Sequence, residues 1–239
     1  MKNLSSAAKF YILSTIFIGL VLIAWLFRDL GWAKVGLYFL AILAACAQIF
    51  KVEGPNDRTS YNIAWFVYGF SFIALGAPAA MFVIVIGHLL EWIWHKYPWY
   101  IQSFNIAVYA VGITLSSLIF EAINPGSTAL NMEGALAITA ALLVFVLSNH
   151  WLVGVVIKLA RGQSFAECGV FAPLTLVLDF TVLGMGAVTA LIWFYNPFAS
   201  ILNAVPLYLL YNALRVPALQ RQVDKLGKHS VQNSASAHI

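Results

Sequence analysis

Charge is scarce in this chain. Asp, Glu, Lys and Arg make up 9% of its 239 residues, where an ordinary soluble domain carries about 25%. With 62% hydrophobic residues and a mean hydropathy of +0.87, that scarcity excludes a soluble fold around one large core and leaves a polytopic membrane protein. Cysteine is nearly absent as well. Cys46 and Cys168 stand alone, without CxxC or metal-ligand spacing, which argues against a disulfide framework. Catalytic signatures are missing too: the chain has no GxSxG, P-loop, HExxH or paired-acid isoprenoid motif. The stretch "GMGAVTA" lies in no strand–helix setting that would make it a dinucleotide fingerprint, and reads as small-residue helix packing. The expectation is a protein that is not an enzyme and holds no metal and no cofactor. Thirteen Lys and Arg against nine Asp and Glu give a net charge of +4. They are scattered between apolar runs, so they signal topology and not a nucleic-acid footprint.

What the chain does have is apolar runs of membrane length, about 20 residues each. They fall at 10–27, 33–50, 101–121, 134–157, 171–194 and 198–214. A further run, 62–94, is too long for one span and is broken by Gly76-Ala77-Pro78, since proline removes a backbone donor and disfavours helix in the residue before it. It divides into 62–75 and 78–94, the first piece short enough to be re-entrant or mismatched. The predicted fold is an all-α polytopic bundle of about eight helices, six full-length plus the short broken pair at 62–94. Residues 1–9 form a cytoplasmic N-terminus, 10–214 one bundle domain, 215–228 a short basic amphipathic segment and 229–239 a disordered tail. The run after Lys9 is too long for a signal-peptide core and reads as a retained first helix. With eight crossings, Lys2, Lys9, Lys51, Arg58, Lys96, Lys158, Arg161, Arg215, Arg221, Lys225 and Lys228 share one side, against Arg28 and Lys34 on the other. That bias puts both termini in the cytoplasm.

Polar residues inside the runs are the candidates for function. His88, Glu91 and His95, spaced by three and four, lie within about 60° of one another around a helix. Glu91 lies roughly 6–8 Å inside the end marked by Lys96, and His88 about 12 Å. Asn105, Asn149, Asp179 and Asn212 enter from other helices near the same side. Charges at membrane depth normally face a bundle interior or wet cavity, so Glu91, His88, Asn105, Asn149 and Asp179 are the expected ligand-binding residues. The competing reading makes the asparagines interhelical hydrogen-bond glue. Two histidines and a carboxylate suit a metal in type, but a fourth ligand would have to come from elsewhere. Trp92, Trp94, Trp99 and Tyr100 belong in an interfacial aromatic belt. Glu121 and Glu133, at the outer helix ends, are expected in solvent. The Gly-Ala-Pro break fits either a transporter-like binding discontinuity or a tight outer turn.

The stretch "ALGAPAAMFVIVIGHLLEWIWHKYPWYIQSFNIAVYAVGITLSSLIF" resembles the membrane modules that precede bacterial HD-GYP phosphodiesterases and some GGDEF diguanylate cyclases. The matching positions are Gly76 and Pro78, Glu91, Lys96-Tyr97-Pro98-Trp99-Tyr100 and Phe104-Asn105. Asn149, Gly162 and Ser164 match in "SNHWLVGVVIKLARGQSFAE", and the likeness runs over about residues 50–225. The resemblance implies a multi-helix sensory input domain, reminiscent of the small-molecule-binding S subunits of ECF-type vitamin importers. No HD, HD-GYP or GGDEF domain follows Lys228, so a cyclic-di-GMP enzyme is not expected of this chain. The expectation is a stand-alone sensor or small-ligand-binding module in a bacterial inner membrane. Its expected partners are the lipid bilayer, a small-molecule ligand and a cytoplasmic or membrane protein. The alternatives are a substrate-binding transporter subunit and a structural subunit of a membrane complex.

Overall fold

The computed structural model describes residues 1, 4–32, 35–53, 60–125, 131–216 and 219–220. The chain is an all-α polytopic helical bundle. Its helices are α1 (Ser6–Phe27), α2 (Val35–Ile49), α3 (Ala64–Leu75), α4 (Ala77–His95), α5 (Trp99–Ile123), α6 (Met132–Arg161), α7 (Pro173–Tyr195) and α8 (Pro197–Ser200). From α8 a 3-10 turn, Ile201–Asn203, leads into helical residues 204–216. Six segments are long and apolar enough to cross a membrane: α1, α4, α5, α6, α7 and Pro197–Val216. Of the expected basic segment 215–228, only 215–216 and 219–220 lie within the described residues, and the tail 229–239 lies outside them.

Local chemistry sets the helix ends. Ser5 and Asn131 cap α1 and α6 by accepting from the Ala8 and Gly134 N–H groups, at 3.1 and 2.7 Å. Asn62 caps α3 through the Ala64 N–H at 2.9 Å. Lys96 stops α4 in a left-handed conformation, φ 54°, and Pro98 precedes the first residue of α5. Gly76, φ 88°, makes the turn from α3 to α4 in a region that side chains with a Cβ rarely adopt.

Two expectations change in detail. The run 33–50 yields a helix of only 15 residues, about 22 Å long, while the second half of the broken run becomes the 19-residue α4. The connection from α2 to α3 includes a pair of two-residue antiparallel strands, β1 (Val52–Glu53) and β2 (Ser60–Tyr61), paired Val52↔Tyr61 and Glu53↔Ser60. In the last turn of α2, Gln48 is fully buried among polar groups of α3 and α4. Segment 62–75 is not re-entrant. Asn62 at its start bonds Gln48, and Gly76 at its end lines a cleft with Glu121 and Asn124 at the finish of α5. Helix α3 therefore passes through the bundle, its 12 residues covering about 18 Å.

Close packing holds that short helix. A Cβ on Gly69 of α3 would run into the Leu183 carbonyl of α7, and one on Gly186 into the Phe66 carbonyl of α3. The "GMGAVTA" stretch thus works as small-residue packing, with Gly186 at the crossing. Gly19 of α1 meets Ala107 of α5 in the same way. Ser5 at the start of α1 donates to the Leu159 carbonyl near the end of α6, and Lys51 reaches Glu91 near the end of α4. Lys9, Lys51, Lys96, Lys158 and Arg161 therefore share one end of the bundle, with Arg28, Glu121 and Glu133 toward the other.

Candidate functional site

Glu91 is 2% exposed, and three donors from three segments meet its carboxylate. Lys51 Nζ, just past α2, lies 2.7 Å from Oε1. Gln102 Nε2 of α5 lies 2.9 Å from Oε2, and His88 Nδ1, one turn earlier on α4, 3.3 Å from it. The same Gln102 amide donates to the His88 carbonyl at 2.7 Å. Lys51 also sits 5.2 Å from the centre of the Tyr97 ring, a favourable position for a cation. Its side chain is 26% exposed, so it is the one member of the cluster that reaches the bundle's rim.

The orientations in this cluster follow from one backbone group. Asn62 must turn Oδ1 to the Ala64 N–H of α3, so its Nδ2 donates to Gln48 Oε1 at 2.8 Å. Gln48 Nε2 is thereby left to donate to Tyr68 Oη at 2.8 Å and to His88 Nε2 at 3.0 Å. The ring's Nε2 is then the acceptor and Nδ1 carries the hydrogen, with Glu91 Oε2 at 3.3 Å and the Gln102 amide nitrogen, itself a donor, at 3.0 Å. The capping need of α3 thus selects the histidine tautomer two side chains away. Gln102 is fixed on similar grounds, because a flipped amide would set its oxygen against two acceptors. The cost is a buried Gln102 Oε1 without a partner among the described residues.

Asp179 of α7 lies elsewhere. Its Oδ2 is 2.9 Å from His150 Nε2 of α6, so Nε2 carries the hydrogen and the buried Nδ1 is left without a partner among the described residues. Trp65 and Tyr109 stand between the two pairs. Trp65 Nε1 donates to Tyr109 Oη at 3.1 Å, the Tyr109 ring lies 5.0 Å from His88, and the Trp65 ring 6.3 Å from His150. The loop after α6 closes over the second pair. Phe171 lies 6.2 Å from the His150 ring, and Phe165 stacks on Trp151 at 5.4 Å. Gly154 leaves the room, since a Cβ there would come within 2.6 Å of Phe165.

Of the five expected ligand-binding residues, the structure brings Glu91 and His88 together. Asp179 is in a separate pair, and Asn105 and Asn149 make no hydrogen bond among the described residues. The five do not line one pocket, because helix phase turns Gln102 and His150, not Asn105 and Asn149, toward the interior. Asn212 bonds its own helix at the Tyr208 carbonyl, and His95 is exposed, stacked on Tyr97 at 5.4 Å. Trp92, Trp94 and Trp99 are exposed and Tyr100 half-buried, as a lipid-facing belt requires. Lys51, Gln48, Gln102 and His150 were missed. The signal for Gln102 and His150 was available, as polar side chains inside apolar runs. Among the described residues, no three His, Cys, Asp or Glu side chains come together as a metal site.

No known protein family, curated protein or solved structure matches the chain. The site has to be read from its own geometry. It is a closed polar network in which one rim lysine neutralises a buried carboxylate. Removing one partner of such a pair costs about 3–5 kcal/mol, whereas replacing both by apolar groups is often neutral. A group so expensive to strand and so cheap to replace suits a switch or a register device better than a stabiliser.

Proposed function

We propose that the chain is a membrane-embedded sensor module, without catalytic activity of its own, that signals through a partner protein. The Lys51–Glu91–His88–Gln102 network is its switch. The single observation behind this reading is that Lys51, on the connection between α2 and α3, holds a carboxylate buried at 2% exposure. Movement of that connection strands Glu91, so the network couples α2, α3, α4 and α5 in an all-or-none way. The resemblance to sensory input domains supports the same reading, with both termini in the cytoplasm of a bacterial inner membrane. A transporter's substrate-binding subunit would share the scaffold and need an energising partner.

One observation favours a different reading. The segment Pro197–Val216 is almost entirely uncovered, with 6% of its apolar window buried. A structural subunit would use such a helix against another membrane chain, and the network would then only set helix register. Native mass spectrometry of gently extracted wild type beside Glu91→Gln separates the two. A sensor shows a retained small molecule and a partner-bound fraction that shifts in a folded variant. A bare wild type whose variant simply fails to assemble is a structural subunit.

A further inference from the structure

At the end of the bundle opposite the network, a cleft of about 920 Å³ opens around the α3–α4 turn, inside the range of about 300–1,000 Å³ typical of ligand sites. Phe72, Pro78, Phe120, Ile138, Leu191 and Phe194 supply its walls, from five helices, α3 to α7. Among the described residues, its lining contains one charged side chain, Glu121, and no basic one. The backbone does not offset that carboxylate. Helices α3, α5 and α7 end here against the starts of α4, α6 and α8, so the negative and positive helix ends balance and leave the carboxylate's charge standing.

We propose that this cleft binds a cationic amphiphile, a hydrophobic amine whose chain enters the apolar walls and whose ammonium meets Glu121. A membrane protein meets amphiphiles from the bilayer itself, and the acidic rim selects against those with an anionic head. The cleft also has a physical connection to the network. Phe72, in its wall, lies one turn from Tyr68 on α3, and both border the same small apolar void of about 10 Å³. Tyr68 Oη accepts from Gln48, which in turn donates to His88. A ligand that shifts Phe72 therefore presses on Tyr68, which Gln48 joins to His88 of the switch. The coupling rests on the sensor reading; the binding does not.

The test offers dodecylamine and dodecanoic acid, equal in chain length and opposite in charge, to protein in non-ionic detergent. Retention is read by native mass spectrometry. Wild type is expected to prefer the amine about two- to fivefold, the effect of an exposed ion pair. Glu121→Gln abolishes that preference, and Ala74→Phe, which fills the cleft, removes both ligands. Ser117→Leu is the second filling variant should Ala74→Phe not fold. Glu91→Gln keeps the amine. Equal retention of both probes by wild type, undiminished binding in both filling variants, or loss in Glu91→Gln alone overturns the proposal. Hydrogen exchange around Ala64–Tyr68 is followed in the same samples. Charge-selective binding without any change there upholds the cleft and removes the sensor reading.

Discussion

His88–Glu91 and His150–Asp179 are the same two side-chain types paired inside one bundle, yet their surroundings differ in kind. Around Glu91, two glutamines and a lysine from neighbouring elements satisfy the carboxylate and fix the ring. Around Asp179 there is a single contact, and the far nitrogen of His150 has no partner among the described residues. What fills the space there is aromatic: Trp65, Phe171 and, beyond it, Phe165. The first pair is welded into the helix framework, because an amide chain leads from the Asn62 cap to the ring. The second is covered by a loop. A buried histidine–carboxylate pair thus takes its character from what the remaining nitrogen and oxygen find.

The largest effect should come from removing the weld's one cation. Lys51→Met is expected to destabilise the protein by about 3 kcal/mol, the low end for breaking a buried pair since Lys51 is partly exposed. Adding Glu91→Leu should recover most of that loss. Thermal unfolding in detergent measures both, and a Lys51→Met protein as stable as wild type would erase the distinction drawn here. Asp179→Ala should cost less, about 1.5 kcal/mol, the value of one hydrogen bond to a charged group. If it costs more than Lys51→Met, the loop-covered pair is the true anchor.

The smallest effect concerns the loop itself. The Ser164 N–H and hydroxyl, at 2.7 and 2.8 Å, hold the exposed Glu167 carboxyl below its ordinary value of 4.5. A lowered carboxylate contributes stability above its ordinary value and loses it as pH falls through the folded value. Pepsin should therefore nick wild type more slowly than Glu167→Gln at pH about 5, and the difference should vanish on further acidification. A difference that persists or grows at lower pH would mean that this turn does not hold the cover over His150.

Much of this was legible beforehand. Apolar run length and the Gly76–Pro78 break laid out the helices, and a three-residue spacing put His88 beside Glu91. Lys51 was read as a topology charge, and nothing local says otherwise. It reaches Glu91, 40 residues on, from just past the end of α2, beside a Gln48 whose partners lie 14, 20 and 40 residues away. Gln102 and Asn105 differ by about 60° around their helix, and Asn149 and His150 by about 100°. Both members of each couple are polar, so periodicity alone could not choose which faces inward.

The sequence by itself determined a membrane bundle, its helix order and the two helices that carry the intramembrane acids Glu91 and Asp179. Those properties come from hydropathy, proline and turn geometry, which act over a few residues. Only the tertiary structure decided that the expected single pocket is two separate pairs, that α3 traverses the bundle, and that a cleft opens at the far end. These depend on helix rotation and on glycine contacts such as Gly69 with Leu183, which are settled between segments far apart in the chain.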